Sequence, residues 1–274
     1  MVTRMRRRCK HIATLLLLLL LVYAPSSRGA SSQLPVFLYF NPDSIQNNLS
    51  GLKETMDSFL SSSGFAFSFQ PFARFHDFNR EARSDSSAFL FMPAWYLHQD
   101  GNDKRFKPFL IPVRQGKTTY RKVLLVGADS ALTTENLANI TIAMTPVGQA
   151  GLAVLDEALF KRIGLRGKEL NFITTAKDSD ALFALALGQV KAALVSQDNL
   201  DYIGNINPRL LKTVKTLAVS DPLPLPVLCY VNGAVPAKEV ERMRKVLLAG
   251  KDGGKAARVM EMLHIDAWRV PNAE

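Results

Sequence analysis

Two hydrophobic patterns alternate along this chain and predict an α/β protein. Short apolar runs fit buried strands, whereas apolar residues at every third or fourth position fit amphipathic helices. Strands are predicted at 34–40, 65–69, 88–92, 140–144, 170–174 and 192–195. Helices are predicted between them at 45–59, 76–83, 134–137, 149–163 and 178–187. Strands separated by helices in this way are typical of mostly parallel sheets.

The alternation is interrupted in the middle of the chain and again near its end. Segments 109–113 and 120–126 are predicted to form a hairpin around the turn 114–117, and the strand–helix rhythm restarts at Gly127. Residues 217–229 hold three prolines at alternate positions, a spacing that allows extended backbone but no helix.

Two helices, beginning near Pro236 and near Gly254, are predicted to close the chain. The expected architecture is therefore two lobes joined by two crossing segments, each lobe a mostly parallel sheet flanked by helices. Lobe 1 is expected at 30–127 and 220–274, and lobe 2 at 128–219.

The first 29 residues have the order of a secretory signal peptide. Basic residues from Arg4 to Lys10 precede an apolar run at 15–22, which is followed by small and polar residues. A spanning helix needs about 20 apolar residues, so the run is too short to cross a membrane. We expect cleavage after Gly29, because cleavage after Ala24 would leave Pro25 next to the bond. The chain is predicted to be exported as a soluble protein.

Charge and cysteine content exclude several classes of function. The chain has 34 Lys and Arg against 24 Asp and Glu, and the leader takes six of the basic residues with it, which leaves a net charge of +4. So mild a balance predicts no nucleic-acid partner. Cys229 is the only cysteine after the leader, so no intrachain disulfide is expected, and its apolar neighbours indicate an inert core thiol. We expect a monomer.

Motifs for metal or catalytic chemistry are absent from the sequence. None of His76, His98 and His264 has a second His, Cys or Glu at metal-binding spacing on a predicted helix, and neither a phosphate loop ending in Lys-Ser or Lys-Thr nor a Gly-x-Ser-x-Gly motif occurs. Nothing supplies a paired acid and base. We therefore predict that the protein is not an enzyme and that it uses no metal or cofactor.

The best candidate for a binding site is the turn between the strand at 140–144 and the helix that follows it. The first amides of that helix lack acceptors within the helix, and turns of this kind lie where ligands bind in parallel α/β sheets. Within the turn, Thr145 follows the strand, Gly148 allows close approach of the backbone, and Gln149 offers a donor and an acceptor. The alternative is that this is an ordinary strand–helix connection.

Two strand ends on the other side of the predicted cleft carry further candidates. Trp95 and Tyr96 follow the strand at 88–92, where they could form the floor of a cleft or could instead cap the core of their own lobe. Asn41, at the end of the first strand, leaves the same two alternatives open.

The order of these segments resembles the type 2 periplasmic binding proteins of ABC importers, and most closely their phosphate and phosphonate branch. The stretches that carry the resemblance are AFLFMPAWYL (88–97), YRKVLLV (120–126), LTTENLANITIAM (132–144), TPVGQAG (145–151), DSDALFALALG (178–188) and SDPLPLP (220–226). The resemblance implies a small ligand held between lobes that close by hinge motion. It implies an ABC permease or another inner-membrane protein as the partner.

The expected ligand site departs from the pattern of that branch. The branch carries a Ser-Thr-Ser-Gly run where this chain has residues 147–151, including Ala150, and a histidine where this chain has Lys177 and Asp178. A carboxylate such as Asp178 facing the cleft would repel a phosphonate. The expected ligand set is Asn41, Trp95, Tyr96, Thr145, Gly148, Gln149, Ala150 and Asp178.

Two functions remain open from the sequence. The first is a receptor that hands a small polar or anionic solute, phosphate-like or phosphonate-like by resemblance, to an ABC importer. The second is an exported sensory or interaction module with the same fold that signals to a membrane partner. The missing hydroxyl run favours the second, whereas the glycine-bearing turn and the aromatic strand end favour the first.

Overall fold

The computed structural model describes residues 34–45, 48–99 and 101–271. The predicted signal peptide, 1–29, lies outside the described residues. Among the residues that are described, no helix is both long enough and apolar enough to span a bilayer.

The first half of the described chain alternates strands and helices as the hydrophobic pattern predicts. Its elements are β1 (Val36–Tyr39), α1 (Leu49–Ser62), β2 (Ser68–Pro71), α2 (Phe75–Ala82), β3 (Ser87–Met92), a 3-10 helix (Ala94–His98), α3 (Asn102–Arg105), β4 (Phe106–Val113), β5 (Thr119–Tyr120) and β6 (Lys122–Gly127). Asn48 caps α1, because its Oδ1 accepts a hydrogen bond from the amide of Gly51 at 2.8 Å.

The second half continues the alternation and adds elements that the pattern did not predict. A 3-10 turn (Thr134–Asn136) precedes β7 (Thr141–Met144), α4 (Gly148–Leu155), a π-helical turn (Asp156–Phe160), two 3-10 turns (Lys161–Ile163 and Gly167–Glu169) and β8 (Asn171–Thr174). Then come α5 (Asp178–Ala186), β9 (Ala192–Ser196), α6 (Gln197–Ile206), α7 (Pro208–Leu211), β10 (Val214–Val219), β11 (Leu223–Pro224), β12 (Val227–Val231), α8 (Ala237–Leu248), a 3-10 turn (Ala249–Asp252), α9 (Gly254–Met262) and β13 (Ala267–Arg269).

The strands form two main sheets, one in each lobe. The first sheet has the order β13-β4-β12-β3-β1-β2, and the second has the order β10-β6-β9-β7-β8. Parallel pairs occupy one side of each sheet: β1 with β2 and β3, and β7 with β8 and β9. The other pairings are antiparallel. Each sheet is therefore mixed, rather than mostly parallel as the rhythm predicted.

Both faces of each sheet are covered, which explains why the central strands are apolar without alternation. In β3, Phe89 and Phe91 pack on one side with α1, α8 and α9, while Leu90 and Met92 pack on the other side with α2. The two closing helices thus belong to the first lobe. In the second lobe, Leu124 and Val123 likewise face opposite hydrophobic clusters.

The predicted hairpin around 114–117 is wrong. Arg114 and Lys117 form only an isolated bridge, and the strands on either side of them enter different sheets. β4 pairs with β12 and β13, whereas β6 pairs with β9 and β10. The turn therefore carries the chain from one lobe to the other.

The two crossing segments pair with each other in a short ribbon. β5 and β11 are antiparallel, with Tyr120 opposite Leu223. Because β6 lies in the second sheet, the first crossing precedes residue 122 and not residue 127 as expected. We propose that lobe 2 comprises about 122–219, that lobe 1 comprises the described residues between 34 and 121 and between 220 and 271, and that the ribbon is the hinge.

Candidate functional site

The two lobes meet where the parallel strands of both sheets end. The loop Asn41–Asp43 follows β1 and Trp95 follows β3, both in the first lobe. Thr145 follows β7 and Ser196 ends β9, both in the second lobe. Ligands bind at strand ends of this kind in open α/β sheets.

Lys122 lies at the centre of this meeting place. It is the first residue of β6, and its side chain is only 1% exposed. Its Nζ lies 2.7 Å from Oδ1 of Asp43 and 3.0 Å from Oδ1 of Asp178. A buried ammonium needs such partners, because burial of an unpaired charge is very costly.

Asp43 reaches this lysine from the other lobe. Its Oδ1 also accepts a hydrogen bond from Oγ1 of Thr145 at 2.7 Å, and its Oδ2 accepts one from the hydroxyl of Tyr120 at 2.8 Å. The backbone carbonyl of Asp43 accepts a further hydrogen bond from Nδ2 of Asn199 at 2.9 Å. Donors from the second lobe and the hinge therefore surround a carboxylate of the first lobe.

Asp178 is held wholly within the second lobe. It begins α5 and is fully buried, and its Oδ2 accepts a hydrogen bond from the amide of Ser196 at 2.7 Å. Nδ2 of Asn199 donates to the same oxygen at 3.2 Å. Asp178 is thus bound by groups of its own lobe, whereas Asp43 of the first lobe is bound by groups of the second.

The two carboxylates that face Lys122 have pKa values shifted in opposite directions. Burial raises the pKa of Asp43, but Lys122 and the hydroxyls of Thr145 and Tyr120 more than offset this and hold the pKa below its ordinary value. Burial raises the pKa of Asp178 too. Lys122 offsets that rise only in part, and the charge on Asp43 adds to it, so the pKa of Asp178 stays above its ordinary value.

The groups that donate to Asp43 keep their protons at neutral pH. Burial lowers the pKa of Lys122, but the two carboxylates outweigh burial and raise it above the ordinary lysine value. Burial and the neighbouring charge of Asp43 both raise the pKa of Tyr120 well above the ordinary value. The site therefore presents an ammonium and two hydroxyl donors to one anion.

Helix α4 of the second lobe packs closely against Trp95 of the first. A Cβ on Gly151 would lie 3.1 Å from Cδ2 of Trp95 and 2.6 Å from Cβ of Val147, so the contact requires glycine. Gly148, with a φ of +59°, also faces this ring, because a Cβ there would lie 3.7 Å from Cζ3 of Trp95. The two glycines, one helical turn apart, therefore allow α4 to approach the indole ring of Trp95.

Space at the interlobe site is limited on one side and open on the other. A cavity of about 20 Å³ lies beside Trp95, Tyr120 and Lys122. It adjoins an open groove of about 550 Å³, and the two share Val154 and the ribbon residues Leu223 and Pro224. Lys122 lines the small cavity and not the open groove.

The structure brings together several of the predicted ligand residues. Thr145 and Asp178 are fully buried around Lys122, and Asn41 is half-buried two residues before Asp43. Trp95 lies against the start of α4 and is 8% exposed. At that helix start Gly148 and Gln149 are exposed, and Ala150 lines the open groove. Val147 is the N-cap and gives the helix no side-chain cap.

The prediction that Tyr96 lines the cleft is wrong. Tyr96 is 0% exposed, its ring packs on Phe78 and Phe106, and its hydroxyl donates to Oδ1 of Asn79 at 2.7 Å. It belongs to the core of the first lobe. Trp95 and Tyr96 lie on a 3-10 helix, in which consecutive side chains point in directions about 120° apart. One ring therefore faces the second lobe while its neighbour faces inward.

The two residues at the centre of the site were not predicted from the sequence. Asp43 lies just beyond the strand predicted at 34–40, and Lys122 lies within the segment predicted at 120–126. The charge on Lys122 could have revealed it, because four apolar residues follow it in the strand and lysine is almost never fully buried unless it is paired. Within the described ranges, no group of three or more His, Cys, Asp or Glu residues could hold a metal ion.

Comparison with known families decides what kind of protein this is. Residues 35–274 match the family model described as ABC transporter, phosphonate, periplasmic substrate-binding protein. The chain belongs to this family. The predicted family, the two-lobed fold and the solute-binding function are thereby confirmed, and the family assignment favours transport over the sensory alternative. A small-molecule ligand, a membrane permease partner and a periplasmic location follow from membership of the family. No curated protein matches.

Solved structures share the fold of this family member at low sequence identity. A binding protein component of an ABC phosphonate transporter from Pseudomonas aeruginosa aligns with a TM-score of 0.71 and 16% identity, over 87% of this chain and 82% of its own. PhnD1 from Prochlorococcus marinus, solved with methylphosphonate, aligns with a TM-score of 0.70 and 11% identity, over 86% of this chain and 93% of its own. A histidine kinase sensor domain similar to periplasmic binding proteins aligns with a TM-score of 0.55 and 18% identity, over 84% of this chain and 96% of its own.

Proposed function

We propose that this protein captures a small oxyanion-bearing solute of the phosphonate class between its lobes, beside Lys122, and delivers it to an ABC permease. The observation that carries this proposal is the convergence of the Lys122 ammonium and the hydroxyls of Thr145 and Tyr120 at the carboxyl ends of the strands. Charged donors of this kind make the strongest hydrogen bonds to oxyanions.

The remaining contacts would come from both lobes. The uncapped start of α4, at Gly148 to Ala150, offers amides to an acceptor, and the helix dipole there adds about 0.3–1 kcal/mol in favour of an anion. Trp95 and Asn41 approach from the first lobe. Most of the affinity would have to come from direct hydrogen bonds and from area buried as the lobes close.

The proposed role is binding without chemical change of the solute. Both carboxylates are paired with the lysine. We infer that neither serves as a general acid or base towards a bound solute. We further infer that the chain acts as a monomer after removal of residues 1–29, and that it has no nucleic-acid partner.

A panel of solutes, added to the protein from residue 30 onwards, tests this function. Methylphosphonate, inorganic phosphate, amino acids and sugars are screened by thermal shift, and any hit is measured by calorimetry. A true ligand at 100 times its dissociation constant is expected to stabilise the fold by about 2.7 kcal/mol. Thr145→Val should weaken binding of the hit about tenfold, because it removes a hydroxyl next to Lys122.

Thr213→Val is the matched control. It makes the same change in the same lobe, at a hydroxyl that donates to the carbonyl of Leu210 at 2.7 Å, away from the interlobe site. Its affinity for the hit should equal that of the unmodified protein. A hit that binds Thr145→Val and Thr213→Val equally well would place the ligand elsewhere, and a panel without any hit would contradict the proposed function.

A further inference from the structure

The Asp43 carboxylate makes the contacts that an anion bound between the lobes would make. It lies 2.7 Å from Nζ of Lys122 and accepts hydrogen bonds from the hydroxyls of Thr145 and Tyr120. We propose that Asp43 is a built-in competitor, whose carboxylate fills the oxyanion site, so that an external oxyanion binds there only by displacing it. This inference rests on the proposed function, because it concerns the same site.

The donors of the site and Asp43 come from different parts of the fold. Lys122, Thr145 and Tyr120 belong to the second lobe and the hinge, whereas Asp43 enters from a loop of the first lobe. Without Asp43, Lys122 keeps an ion pair with Asp178, which the amide of Ser196 holds in place. Removal of Asp43 therefore leaves Lys122 paired with one carboxylate, in a charge-balanced site.

Charge and space both oppose an external oxyanion while Asp43 is in place. The site then has two carboxylates for one ammonium, and a third anion would add repulsion. The adjoining cavity of about 20 Å³ has room for about one water molecule. Methylphosphonate is larger than this cavity and would need the same donors as the Asp43 carboxylate, so we expect the two to exclude each other.

The tether gives the internal carboxylate an advantage over a ligand in solution. A group on a short loop has an effective concentration in the millimolar range near its site. If Asp43 is out of the site for about one-tenth of the time, the apparent dissociation constant of an oxyanion is about tenfold higher than its value for the vacated site. Asp43 therefore raises the oxyanion concentration that is needed to occupy the site.

Calorimetric titration of three proteins with methylphosphonate and with inorganic phosphate tests the competitor. The unmodified protein is compared with Asp43→Ala, which vacates the site, and with Asp43→Asn, which removes the charge but keeps most of the side chain. The dissociation constant for at least one oxyanion should fall at least tenfold in Asp43→Ala, equivalent to about 1.4 kcal/mol. Asp43→Asn should lie between the other two, and a cooperative melting transition for each variant shows that it is folded.

Asp198→Asn is the matched control for simple loosening of the lobes. Asp198 of α6 pairs with Nη1 of Arg114 at 2.7 Å, and Arg114 also donates to the carbonyl of His264 in the first lobe. Asp198→Asn weakens a second interlobe contact while Asp43 still fills the site, so oxyanion affinity should not rise.

Two results would contradict the proposal that Asp43 competes with oxyanions. One is an equal gain in oxyanion affinity in Asp198→Asn and in Asp43→Ala. The other is unchanged oxyanion affinity in both folded Asp43 variants. Either result leaves the proposed function standing, provided that the unmodified protein binds a solute in the panel. If Asp43→Ala binds an oxyanion and the unmodified protein binds no solute, the result supports competition by Asp43 and contradicts the proposed function of the unmodified protein.

Discussion

Replacing Lys122 with methionine is expected to lower the free energy of unfolding by about 3–5 kcal/mol. The methionine would fill a similar volume, but Asp43 and Asp178 would then face each other without the ammonium that separates them. Loss of one partner from a buried ion pair costs far more than the pair itself contributes, because the remaining charge stays desolvated. Urea denaturation monitored by circular dichroism measures the change.

Two comparisons separate this effect from loss of a positive charge in general. Lys215→Met removes a lysine from β10, where the side chain is exposed, and should change stability by no more than about 0.5 kcal/mol. Adding Asp43→Asn to Lys122→Met should recover part of the loss, because only one carboxylate then remains. Similar unfolding free energies for Lys122→Met and Lys215→Met would show that Lys122 is not the centre of the site.

Tyr96→Ala is expected to destabilise the first lobe by about 3–5 kcal/mol. The ring is fully buried against Phe78 and Phe106, so its removal leaves a cavity, and it leaves Oδ1 of Asn79 without its hydroxyl donor. Tyr96→Phe keeps the ring and loses only that hydrogen bond, which should cost about 1 kcal/mol. Both values can be obtained from urea denaturation.

The pair of variants also tests whether Tyr96 is a core residue or a ligand residue. Tyr96→Phe should bind any solute found in the panel as tightly as the unmodified protein, because the hydroxyl points to Asn79 and away from Lys122. A tenfold loss of affinity in a Tyr96→Phe variant of normal stability would show that this side chain lines the cleft.

Local pattern predicted most of the elements but only part of their pairing. The continuous apolar runs at Val36–Tyr39 and Ser87–Met92 were recognisable as strands because both of their faces are buried. The strand Val214–Val219 was missed because it lies at the edge of the second sheet, with a largely exposed pattern that resembles a loop. The hairpin error had a related cause, since two strands joined by a short turn need not pair when each can join a different sheet.

The site was harder to predict, because its central contacts join distant parts of the chain. Asp43 and Lys122 are 79 positions apart, and Lys122 and Asp178 are 56 apart. Thr145 and Asp178 could be proposed as candidates because they stand at the ends of recognisable elements. No spacing rule links Asp43 to Lys122, because their contact depends on how the two lobes meet at the hinge ribbon.

A crystal structure of Asp43→Ala grown with methylphosphonate would show which groups hold the oxyanion. We expect phosphonate oxygens within hydrogen-bonding distance of Nζ of Lys122, Oγ1 of Thr145 and the hydroxyl of Tyr120, in the place of the deleted carboxylate. Methylphosphonate bound away from these three groups, with Lys122 still paired only to Asp178, would contradict it.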